Sequence, residues 1–215
     1  MDHQRADAAA DGGLLNVLHM GKPPAEPQLY PSIAISDAVN AAGHALAAHM
    51  LWSSERLAAL GFLIVALAAS VGVLRFGFDE RTFTQANSDL AELSAFVGLP
   101  LVGAAFAQRS GLVGSGGDAS IVVGCVITCV LARSLARGTK ELAKILLNLV
   151  LFLMPVAYHS YTSNDKRTGA AIAAFAVAGI VIGSDHDRLL FGVRRVNIFH
   201  YAIGACSYSI AFGLA

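Results

Sequence analysis

Beyond residue 32 the chain alternates long apolar runs with short polar breaks, and seven such runs follow one another to the C-terminus. They cover residues 33–52, 57–76, 90–108, 119–136, 143–161, 169–183 and 196–214. A bilayer's hydrocarbon core, about 30 Å thick, takes roughly 17 to 25 helical residues to cross. Helices and closed barrels alone satisfy every backbone polar group inside lipid, so runs of this length predict helices. The expected fold class is all-α: a polytopic membrane helix bundle with about seven transmembrane helices. The first run is polar for lipid contact and the sixth is short, which leaves five crossings with two surface helices as the alternative. Pro100 and Pro155 lie inside the third and fifth runs, where each removes a backbone donor and predicts a kink.

Residues 1–32 follow a different pattern. Asp2, Asp7, Asp11 and Glu26 mix with Arg5 and Lys22, four prolines crowd its second half, and the one apolar stretch is residues 14–18. This composition predicts a flexible cytosolic tail before a bundle at 33–215. It lacks the long apolar core of a secretory signal, and its acids disagree with a mitochondrial presequence.

Composition sharpens the membrane expectation. The chain is 55% hydrophobic and 14% charged, against about 25% charged in a soluble domain, and its mean hydropathy is +0.60. A formal net charge of zero with no basic face argues against nucleic acid as a partner. Cys125, Cys129 and Cys206 all fall inside predicted helices, which reads as packing and not as a disulfide framework or zinc knuckle. Gly111–Gly117, GLVGSGG, lacks the Lys-Ser or Lys-Thr of a phosphate loop and reads as a turn.

Charge also sets direction. With seven spans, Arg56, Arg109, Lys166 and Arg167 fall on one side, and the other eleven of the fifteen basic residues fall on the side of the N-terminal tail. The positive-inside rule then places the N-terminus in the cytosol and the C-terminus outside or in a lumen. The cluster from Arg133 to Lys144 reads as a topology determinant that also meets anionic headgroups.

Polar residues within apolar runs are costly in lipid and normally face the bundle interior. In the first run Ser36, Asp37, Asn40 and His44 recur at helical spacing; in the last, Asn197, His200, Gly204 and Ser207 or Tyr208 do the same. The deduced direction puts Asn197 and His200 at the depth of Asp37, with Asp185, His186 and Asp187 closing the sixth run nearby. The interior polar cluster is thus Asp37, Asn40, His44, Asn197 and His200. Its one carboxylate and two imidazoles suit interhelical hydrogen bonds first, with Asp37, Asp185, His186 and His200 the candidate ligands should a metal bind. His49 and His159 are expected at the outer interface with Trp52, Tyr158 and Tyr161. No catalytic residue is assigned.

The segments FVGLPLVGAAF (Phe96–Phe106), AAIAAFAVAGIVIGSDHDRLLF (Ala170–Phe191) and VNIFHYAIGACSYSIAFG (Val196–Gly213) resemble the family catalogued as transmembrane protein 276. That family's Ser/Thr-Asp opening of the first helix is matched by Ser36 and Asp37, and its Asn-Asp-x-x-His ending in part by Asn197 and His200. The resemblance implies a multipass membrane protein and no particular reaction. A remoter architectural similarity, to the seven-span alkaline ceramidases and adiponectin-receptor-like proteins, would imply zinc held with three histidines, an Asp and a Ser nearby, for lipid amide hydrolysis. Here Gly204 stands where the second histidine of the last helix is expected, and Arg75 where the second span supplies another.

The expected role is a structural or accessory membrane protein, an assembly subunit with no cofactor, whose partners are membrane lipids and other membrane subunits. A lipid or small-molecule carrier, its cavity beside His44, is the first alternative; a zinc-dependent hydrolase is the second.

Overall fold

The computed structural model describes residues 29–114, 116–182 and 188–215. Of these, 83% are helical, so the fold is all-α. Seven continuous helices are described: α1 (Pro31–Leu51), α2 (Arg56–Gly77), α3 (Glu80–Arg109), α4 (Asp118–Arg133), α5 (Arg137–Ser163), α6 (Lys166–Val177, continued by a wide π-helical turn at Ala178–Ile182) and α7 (Arg195–Ala211). Each coincides with one apolar run of the sequence.

Two boundaries differ from expectation for a physical reason. Helix α3 begins at Glu80, not residue 90, because the Asp79 side chain caps it by accepting the N–H groups of Arg81 and Thr82. Helix α5 likewise begins at Arg137, not residue 143. The opening turns of both are amphipathic and polar, so a count of apolar residues passes over them.

Three helices, α2, α3 and α5, are long and apolar enough to cross a membrane on that criterion alone. Helix α1 has the length, 21 residues, but carries polar side chains inward. Helices α4 and α7, of 16 and 17 residues, fall short of the roughly 20 residues that span about 30 Å.

The prolines widen their helices. A π-helical turn, Ser94–Gly98 or Leu149–Leu153, ends just before each, so that Leu99 N–H donates to Ser94 O and Met154 N–H to Leu149 O. Shifting the ladder by one residue relieves the clash between the proline ring and the carbonyl four residues back.

Helix α3 lies at the centre. In its most apolar stretch 61% of residues are buried, against 17% in α5. Phe96, Leu101 and Phe106 of α3 pack with Phe62 of α2 and with Phe152 and Val156 of α5. Close approach depends on glycine at three crossings. A Cβ on Gly61 would press on the Gly98 carbonyl, one on Gly43 on the Gly204 carbonyl, and one on Gly103 would overlap the Leu151 carbonyl. Membrane helices pack through small residues in this way.

Ion pairs gather at the two ends. At the Tyr30 end, Arg75 pairs with Glu80 at 3.3 Å, Arg133 with Asp89 at 2.9 Å, and Lys140 with Glu92 at 2.5 Å. At the Trp52 end, Arg109 meets Glu55 at 3.0 Å. The segment into α7 carries a short antiparallel hairpin, β1 (Leu189–Leu190) and β2 (Val193–Arg194). Phe191 and Gly192 both take positive φ at its turn, the pattern of a type I′ hairpin.

Candidate functional site

Helices α1 and α7 run parallel, since Ser36 and Asp37 meet Asn197 and His200 while His44, further along α1, meets Ser207, further along α7, and their polar stripes meet along the shared face. Two layers of contact result, separated by the Gly43–Gly204 crossing.

The first layer lies near the Tyr30 end. His200 Nδ1 is 3.0 Å from Asp37 Oδ1 and 3.2 Å from Ser36 Oγ. The Ser36 hydroxyl also faces Ile33 O at 2.9 Å and Asn197 Oδ1 at 3.2 Å. Asp37 points its other carboxylate oxygen at Gly72 of α2, where a Cβ would overlap it. Asp37 is six residues into α1 and His200 five into α7, so at about 1.5 Å per residue the two sit at one depth. One carboxylate therefore joins three helices.

The second layer is deeper. His44, fully buried, donates from Nδ1 to the Asn40 carbonyl at 2.9 Å and accepts at Nε2 from the Ser207 hydroxyl, also at 2.9 Å. The donor assignment follows from the partners: a carbonyl can only accept, which fixes the δ tautomer and leaves Nε2 to accept. Phe62 of α2 covers the ring, centroids 5.9 Å apart. Between the layers, the buried Asn40 turns its Oδ1 toward Gly204 and finds no hydrogen-bond donor among the described residues.

The chemistry of this arrangement is constrained. Ser36 and Asp37 share one ring nitrogen of His200, whereas a nucleophilic relay needs the serine on the nitrogen opposite the carboxylate. The Ser36 hydroxyl is moreover committed to acceptors on α1 and α7. Asp37 and His200 supply two of the three protein ligands a catalytic zinc takes. No group of three His, Cys, Asp or Glu suited to a metal occurs among the described residues. Asp185, His186 and Asp187 lie outside the described residues. What the geometry does supply is a hydrogen-bonded fastening between the first helix and the last.

All five residues of the sequence-derived polar cluster face this junction. Ser36 and Ser207, from the same stripes, belong to it; Gly72 and Gly43, which the stripes did not single out, shape it. His159, near the Trp52 end of α5, is buried within the bundle, with Nδ1 3.0 Å from Ser110 Oγ at the end of α3 and its ring edge-on to Phe106 at 5.2 Å. The wide turn before Pro155 and the tight α3–α5 crossing at Gly103 accompany this inward position. His49 is exposed beside Trp52. Cys129 and Cys206 are buried and Cys125 half-buried, and all three stay free thiols.

Comparison of the chain with family models, with curated proteins and with solved structures finds no match.

Proposed function

We propose that this chain is a multipass integral membrane protein of structural or accessory role, a subunit whose bundle is closed by polar contacts between its first and last helices. The observation that carries the reading is the commitment of interior polar groups to that junction. Asp37, Ser36 and His44 spend their hydrogen bonds on His200, Asn197, Ser207 or their own backbone, which leaves them engaged within the chain.

The outer surface supports the membrane part. Helix α5 exposes Leu142, Ile145, Leu146 and Met154, and α4 exposes Val123, Ile127 and Val130. Single exposed apolar side chains are ordinary in water, but faces this continuous demand lipid or a partner. The shorter helix α4 packs against α3 and α5, α6 packs against α5, and α7 packs against α1 and α6; in this reading all seven cross, with the N-terminus cytosolic. Arg75, Arg133, Lys140 and Arg194 gather at the Tyr30 end in agreement with that direction. Packing around His44 favours this role over a carrier that opens beside it.

Affinity purification of the tagged chain from native membranes in mild detergent tests the role. The reading expects other membrane subunits in fixed ratio to it; recovery of the chain alone, from every detergent tried, contradicts an accessory role.

A further inference from the structure

Helices α5 and α6, antiparallel neighbours joined at Asn164–Asp165, diverge on their outer side and leave an open groove of about 550 Å³. That volume is in the range of ligand pockets, roughly 300–1,000 Å³. Its walls are apolar along most of their length: Leu149, Leu153 and Met154 on α5, Ile172, Ala173 and Ala176 on α6. At the loop end the lining turns polar with Ser160 and Tyr161.

A cation stands at that same end. Lys166 precedes Gly169, Ala173 and Ala176 by three, seven and ten residues, which puts all four on one face of α6. Lys166 is exposed and has no ion pair among the described residues. Its neighbour Arg167 is held elsewhere, with its guanidinium 5.0 Å over the Phe212 ring. The adjacent Asp165 carboxylate is engaged in capping α6, accepting from Arg167 N, Thr168 N and Thr168 Oγ1.

We infer that this groove holds one acyl chain of an anionic phospholipid, with the headgroup at Lys166 and Tyr161. The inference rests on the membrane reading and deepens it by naming a ligand class. The polarity gradient selects the occupant. A phospholipid carries negative charge at one end and hydrocarbon at the other, as the groove carries a cation at one end and small apolar side chains beyond it. A partner helix offers no reason for a lysine confined to the head of the groove. Ala157 on α5 and Ala173 on α6 line opposite walls of the groove and intrude little into it.

The test uses the full chain, purified in detergent and equilibrated with equal phosphatidylglycerol and phosphatidylcholine of matched acyl chains, with retained lipid read by native mass spectrometry. One cation near a lipid surface contributes about 1 kcal/mol, so phosphatidylglycerol should be retained about fivefold over phosphatidylcholine. Lys166→Gln should erase that preference and keep total lipid. Ala173→Trp should reduce both lipids by a similar factor, and Ala157→Phe, from the opposite wall, decides the matter should the first variant not fold. Equal retention of the two lipids by the natural chain, or undiminished retention in the wall variants, overturns the inference. Release of the chain from membranes by alkaline washing would instead overturn the membrane reading itself, so the two failures are distinguishable.

Discussion

His200 Nδ1 lies 3.0 Å from Asp37 Oδ1, which ties residues far apart in sequence into one contact between α7 and α1. The carboxylate is also wedged against Gly72, so losing either partner leaves a buried polar group without its mate. Asp37→Ala and His200→Ala should each destabilise the detergent-solubilised protein by roughly 1–3 kcal/mol. The double variant should lose less than the sum, the signature of direct coupling. Thermal melts of the four proteins read this, and strict additivity would contradict the pairing.

The deeper contact predicts a smaller effect. Ser207→Ala removes the donor to His44 Nε2 and should cost about 1 kcal/mol, the usual size of an interhelical hydrogen bond in membrane bundles. His44→Ala should cost more, because it also empties a fully buried volume beside Phe62. Equal losses in the two variants, measured by the same melts, would put His44 outside the packed interior.

Glycine substitutions separate crossings from open surface. Gly103→Ala drives a methyl into the Leu151 carbonyl, backbone that cannot swing aside, and should prevent stable packing of α3 on α5. Gly124→Ala meets open space in mid-helix and should be neutral or stabilising by up to about 1 kcal/mol. Size-exclusion profiles and melts of the pair check both directions. A tolerated Gly103→Ala would mean the two helices are farther apart than described.

Much of this architecture was legible from hydropathy alone. The seven runs are the seven helices because mean hydropathy reports the stretch a helix hides from water, and the stripe from Ser36 to His44 marked the face that α7 covers. The register between helices was not legible: nothing in a single chain says that Gly43 lies on Gly204, or Gly72 on Asp37, when several glycines occupy similar apolar surroundings. The burial of His159 was not legible either, because its partners, Ser110 and Phe106, come from another helix and its end. The capped opening of α3 had a signal, Asp79 three residues before Thr82, that an apolar count ignores.

Acid should loosen the helix caps. The Thr82 hydroxyl, with the Thr82 and Arg81 amides, holds the Asp79 carboxyl below its ordinary value; the Thr168 hydroxyl, with the Thr168 and Arg167 amides, does the same for Asp165. A carboxyl whose folded value is depressed stabilises the fold fully above its unfolded value, near pH 4, and loses that contribution as pH falls through the folded value. Stability should therefore be level from pH 7 to about pH 5 on account of these caps and decline below about pH 4. Asp165→Asn keeps an N-cap acceptor and should flatten its share of the decline, while Asp165→Ala should cost about 1 kcal/mol at neutral pH. Melts across this range check the sign.

The number and direction of crossings are the centre of the account, because the meeting of α1 and α7 in parallel requires an odd count. Compartment-specific reporters fused separately at the N- and C-termini measure it directly. The account predicts a cytosolic N-terminus and a C-terminus on the opposite side; both termini on one side would contradict it.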